Sequence, residues 1–192
     1  MTTEQRHQLG AKILYYISHF EAEIARDAND ARAYVNMGLV WHWQSRPRYS
    51  DALEHYNMAV RLDPSFPHAL CARASLLATC PDATYRDGAS AVKDASAALD
   101  IAHKNSSREL QNGWQRLMYL QTLAAAHAEE GDFERAGGFQ HQALEFTVTM
   151  GAYKEVIWRL KGFWSRQPVR ERFGLVRFGV HRPSQDGCSN ES

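Results

Sequence analysis

The sequence predicts an all-α protein built from helical hairpins stacked on one another, and three observations carry that expectation. The stretch Leu120 to Leu144, LQTLAAAHAEEGDFERAGGFQHQAL, reads as two amphipathic helices joined by a tight Gly-Asp turn, with alanines where the helices must touch. A matching unit runs upstream from Ala31 to Pro64, so the hairpin is a repeat. A more degenerate unit fills the interval after Pro67. The composition agrees: 192 residues, 44% hydrophobic and 23% charged, are ordinary for a globular chain with a sizeable core.

Other classes lose ground on the same grounds. Lys plus Arg (22) balances Asp plus Glu (22), which gives no global electrostatic case for nucleic acid or an anionic membrane. No run approaches the roughly 18 to 20 apolar residues of a membrane helix, and MTTEQRHQ lacks a basic-then-apolar secretory pattern. Cys71, Cys80 and Cys188 are odd in number and unclustered, which suits a reducing compartment. A soluble cytoplasmic protein is expected.

Taken in order, residues 3–27 carry a helical period with Leu9, Ile13, Tyr16, Ile17, Phe20 and Ile24 on one face. This segment holds only the second half of the repeat pattern, so residues 1–30 are expected to be an N-terminal capping helix. The turn Asp27 to Asp30 closes it, with Asp30 as N-cap of the next helix. In the first unit (about 31–66) Tyr34, Met37, Gly38 and Trp41 mark one helix face, and Ala52, Tyr56, Ala59 and Val60 the other. Gly38 and Ala52 permit close approach, and Asp63-Pro64 stops the second helix. In the second unit (about 67–104) Leu70, Ala74 and Leu77 continue the inner face, Cys80-Pro81 ends the first helix, and Ala91, Ala95, Ala98 and Leu99 mark the second. An insertion, 105–116, is expected to extend a flanking helix or form an extra turn. The third unit (117–150) has Leu120, Leu123, Ala124 and His127, then Gly131 and Phe133, then Ala136 and Ala143. Tyr153 to Ser165, with Val156, Ile157, Leu160 and Phe163-Trp164, suits a C-terminal capping helix (151–166), since the last unit otherwise exposes an apolar flank. Residues 167–192 read as a basic, flexible tail.

This residue order resembles the tetratricopeptide repeat, whose unit is about 34 residues long. The text TLAAAHAEEGDFERA…QHQAL, with YRDGASAV…ASAALDIA before it, is similar to a bacterial subgroup of that family. An acid commonly precedes TLAAA there, where this chain has Gln121. The likeness covers roughly Ala31 to Phe146. It implies three repeats in a right-handed superhelix, an α-solenoid, and a scaffold that binds a protein or peptide on its concave face. It does not imply the family's two-carboxylate clamp for chaperone tails, because of the residues that clamp needs only Asn36 is matched.

Enzyme signatures are missing from the sequence: no HExxH, GxSxG, GxxxxGK or CxxC. The nine histidines are scattered without metal-ligand spacing. His127 falls on a packing side, and Cys71 has no neighbouring base in the sequence to activate it, so both read as packing residues. The expectation is a non-catalytic protein with no cofactor and no metal.

The groove that this architecture implies would be lined by Arg32, Val35, Asn36, Leu39, His42 and Trp43, then His68, Cys71, Ser75 and Thr79, then Met118, Gln121, Ala125 and Glu129. Trp41 and Trp43 lie roughly 200° apart on a helix. One indole therefore has to leave the packing side, and Trp43 either anchors a partner or packs on the N-terminal cap. A second candidate is the tail. Arg170, Arg172, Phe173, Arg177 and Phe178 offer phosphate contacts and stacking rings for a single-stranded nucleic acid. They also suit self-docking, since Met1 to Trp158 carries a net charge of about −4, and they also suit plain disorder. A homodimer is compatible with the exposed ends of such arrays.

Overall fold

Local capping chemistry sets the helix boundaries. In the computed structural model, which describes residues 3–44, 46–104, 113–148 and 168, seven α-helices form and no strand occurs among the described residues. They are α1 (Thr3–Arg26), α2 (Ala31–Trp43), α3 (Tyr49–Leu62), α4 (Pro67–Thr79), α5 (Gly88–Lys104), α6 (Gly113–Glu129) and α7 (Phe133–Val148). Asp30 caps α2 by accepting from the amides of Arg32 and Ala33 at 2.9 and 3.2 Å. Pro64 ends α3, and Ser65 turns back to donate to the Asp63 carboxylate from both its amide and its hydroxyl, at 2.9 and 2.7 Å. Pro67 opens α4, where its missing N–H costs nothing. Asp87 and Asp132 repeat the Asp30 device for α5 and α7, accepting from the amides of Ser90 and Arg135 at 3.0 Å each. Gly131, at φ +85°, supplies the left-handed residue that lets the chain leave α6.

The long connection after α4 is ordered by its own side chains. Asp82 accepts from the Thr84 amide and hydroxyl at the start of a 3₁₀ turn, Ala83–Tyr85. The amide of Asp87 donates back to the Leu77 carbonyl at 3.0 Å. Part of the expected insertion is helical: α6 begins at Gly113, so 113–116 extend the first helix of the third unit. Residues 105–112 and the expected C-terminal capping helix lie outside the described residues.

The helices pack as consecutive pairs, α2 with α3, α4 with α5 and α6 with α7. The pairs join through the same relation each time: α4 touches both α2 and α3, and α6 touches both α4 and α5. Small residues make these approaches possible. A Cβ on Gly38 would collide with the Tyr56 ring and come within 3.2 Å of the Ala52 carbonyl. Along α5, Ala91, Ala95, Ala98 and Ala102 form a fully buried seam. Ala91 and Ala95 pack with Ala74 and Ala78 of α4 and with Leu123 and Ala126 of α6. Ala98 and Ala102 pack with Leu70, Cys71 and Tyr119.

One ion pair inside this packing was not legible in the sequence. Arg73 of α4 forks onto Asp94 of α5 at 2.6 and 2.9 Å and donates to the Asn57 side-chain oxygen of α3 at 3.0 Å. Both charges are largely withdrawn from water, so the bidentate geometry and the third hydrogen bond are what make the pair tolerable.

Candidate partner-binding face

Because α2 touches α4 and α4 touches α6, the first helices of the three pairs lie in succession. The side chains expected to line a groove along them divide into two groups. Arg32 is exposed, and Asn36, Leu39, Trp43, His68, Met118 and Gln121 are half-buried. Val35, His42, Cys71, Ser75 and Ala125 are buried, as is Thr79, and their expected contact with a partner is corrected to a packing role.

Each of these burials has a physical cause. Val35 belongs to the cluster formed with Ala52, Tyr56 and Ala72. The Tyr56 ring lies over Gly38, and its hydroxyl reaches His42 Nδ1 at 3.1 Å. The His42 ring stacks on Trp43 with centroids 4.6 Å apart and meets Tyr49 edge-on. Cys71 Sγ lies 3.3 Å from Thr122 Oγ1 of α6. Burial pushes its thiol pKa up to about 12, the Thr122 hydrogen bond only partly opposing this, so the sulfur stays protonated and unreactive at neutral pH. The Thr79 hydroxyl donates to the Ser75 carbonyl at 2.8 Å. Ala125 fills the seam against α4.

Glu129 is also reassigned. Arg86 holds it at 2.9 Å while donating to the carbonyls of Cys80 and Pro81 at 3.0 and 3.2 Å, which ties the α4–α5 connection to the end of α6. Its charge is thereby engaged within the fold.

His68 is the expected residue that the fold builds into a cluster. Gln115 Nε2 lies 3.2 Å from its Nε2, and the Tyr119 hydroxyl 3.4 Å from its Nδ1. Nε2 thus faces the Gln115 amide and Nδ1 the tyrosine oxygen. Phe66 and Tyr119 flank the ring. Gln115, half-buried, was not among the expected residues because it falls in the expected insertion, whereas Tyr119 is fully buried and packs with Leu70 and Cys71.

The two indoles are sorted by the structure. Trp41 faces a cleft of about 370 Å³ between α1, α2 and α3, together with Glu21, Ile24, Tyr34, Met37 and His55. Arg48 covers the Trp41 ring, 4.3 Å from its centroid, and forks onto Asp51 at 2.7 and 2.9 Å. Trp41 is therefore the tryptophan that shares a cleft with the N-terminal helix, while Trp43 rests on His42.

Among the described residues no three His, Cys, Asp or Glu side chains converge to hold a metal ion. None of the described helices is long and apolar enough to cross a membrane. The tail residues Arg170, Arg172, Phe173, Arg177 and Phe178 lie outside the described residues. Compared with family models, curated proteins and solved structures, the chain matches none of them.

Proposed function

We propose that this chain is a tetratricopeptide-like array of three helix pairs with α1 as its N-terminal cap, acting as a non-catalytic adaptor for a protein or peptide in the cytoplasm. The observation that carries the reading is the recurrence of one packing relation. Each pair meets the next through its first helix, which touches both helices of the pair before it. That relation sets α2, α4 and α6 in succession, and Arg32, Asn36, Leu39, Trp43, His68, Met118 and Gln121 keep part of their surface available along them. An indole, a methionine and amide side chains around a histidine favour a partner held by apolar contact and hydrogen bonds.

The test is a quantitative pull-down comparing wild type with Asn36→Arg/Gln121→Arg, with a nuclease-treated lane beside each. Both substitutions add charge at half-exposed positions outside the core clusters, so the helical circular dichroism spectrum and Tm should be retained. Partners enriched by wild type and lost with the variant support the reading. An unchanged set of partners excludes this face, and nuclease sensitivity would move the function to the arginine-rich tail.

A further inference from the structure

The outward side of α1 carries large apolar side chains: Leu14 is 66% exposed, Tyr15 65% and Tyr16 42%. Single exposed apolar residues are ordinary, but three in succession beside an aromatic row are not. Tyr15 stacks on His19, and Tyr16 on Phe20, so the rings form an ordered surface along the helix. The inward column of the same helix is Ile13, Ile17, Phe20 and Ile24, all half-buried, and Ile24 reaches the cleft shared with Tyr34 and Met37 of α2.

At about 100° per residue, Ala11, Tyr15, Ser18 and Ala22 fall in one outward column, and Lys12, Tyr16, His19 and Glu23 fall in the column beside it. Both columns have the alternating four- and three-residue spacing of a helix–helix seam. The first is exposed throughout and, apart from Tyr15, consists of small residues, so a neighbouring helix can come close and seat the tyrosine.

We infer that α1 is a dimerisation helix that pairs antiparallel with α1 of a second copy of this chain. The charges choose both the occupant and the direction. Lys12 stands near the start of its column, exposed and without a counter-ion among the described residues, and Glu23 stands near the end. A twofold axis between Tyr15 and Ser18 sets each Tyr15 against Ser18 of the copy and each Ala11 against Ala22. In that register the two Tyr16 lie on the same flank near the axis. Lys12 then comes beside Glu23 of the copy on the same flank, and the symmetry makes this contact twice. A parallel pair would put this column on opposite flanks of the two copies, so Lys12 and Glu23 could not meet. The antiparallel arrangement also opposes the two helix dipoles favourably.

The experiment uses the full chain and reads mass by light scattering and affinity by sedimentation. Wild type should be a dimer of twice the chain mass. Tyr15→Glu should weaken the dimer at least about tenfold while keeping its helical signal, because Tyr15 is exposed in the single chain. Lys12→Glu and Glu23→Lys should each weaken it alone, since each sets like charges together at both contacts. Mixed in equal amounts, they should recover a dimer, because a Lys12→Glu chain and a Glu23→Lys chain again present opposite charges at both contacts. Three results would overturn the inference: a wild-type monomer at every concentration, a dimer indifferent to Tyr15→Glu, or a mixture no tighter than its components.

Discussion

Leu76 and Leu14 carry the same side chain in helices of the same fold, yet the first is completely buried and the second is two-thirds exposed, at 66%. The difference belongs to the helices. In α4 only His68, Arg73 and Leu77 retain much surface, because α2, α3, α5 and α6 all pack against it. α1 meets α2 along one column and presents its other columns outward. Neighbour number rather than residue size therefore decides burial here. α4 hides alanines, a serine and a threonine, while α1 displays tyrosines.

The largest expected effect tests the enclosed helix at its charge. Arg73→Ala leaves Asp94 buried without its partner and should cost about 3 kcal/mol in chemical denaturation. The double replacement Arg73→Met/Asp94→Leu should recover most of that loss, because it removes both desolvated charges together. A double variant no better than the single one would mean that the pair contributes through packing alone. Next comes the matched leucine pair. Leu76→Ala should cost roughly 2–5 kcal/mol through lost burial and the cavity left behind. Leu14→Ala, measured at a dilution where the chain is monomeric, should change stability by less than about 0.5 kcal/mol. Equal losses at the two sites would abolish the contrast between α4 and α1.

A smaller effect concerns His127, which is enclosed in the α6–α7 pair with its ring stacked on Phe139, centroids 5.4 Å apart. Burial lowers its pKa below the usual 6.5; Arg135 lowers it further, and Asp132 and Glu130 oppose the shift. The unfolded chain then takes up the proton first. This contribution to stability is complete above about pH 6.5 and is lost progressively as the pH falls toward the depressed folded value. Denaturation midpoints measured from pH 7.5 to 5 should fall with pH in wild type and fall less steeply in His127→Phe. Parallel profiles would show that other groups set the acid response.

Much of the fold was legible because its signals are local. Asp30, the Asp63-Pro64 pair, Cys80-Pro81 and Gly131 each act within a few residues, through a cap, a missing donor or a left-handed backbone. Boundaries placed from them agree with the helices observed. Gly38 opposite Ala52 was readable too, since a glycine on an apolar helix face implies a close neighbour. The groove was less legible. Helical period places Val35, His42, Cys71, Ser75 and Ala125 between packing positions, but period says nothing about how near the next helix lies. In α4 that distance is short, because alanine seams draw α5 and α6 inward, and the intended lining closes.

By itself the sequence determined the all-helical character, the paired helices and their stops, because hydrogen bonds and backbone preferences over three or four residues fix these. Only the tertiary structure decided which polar groups would be joined: Arg73 with Asp94, Arg86 with Glu129, His68 with Tyr119 and Cys71 with Thr122. These partners lie 21, 43, 51 and 51 residues apart in the chain. Their meeting depends on how whole helices stack, and a periodic pattern specifies the face of a helix without specifying what will stand opposite.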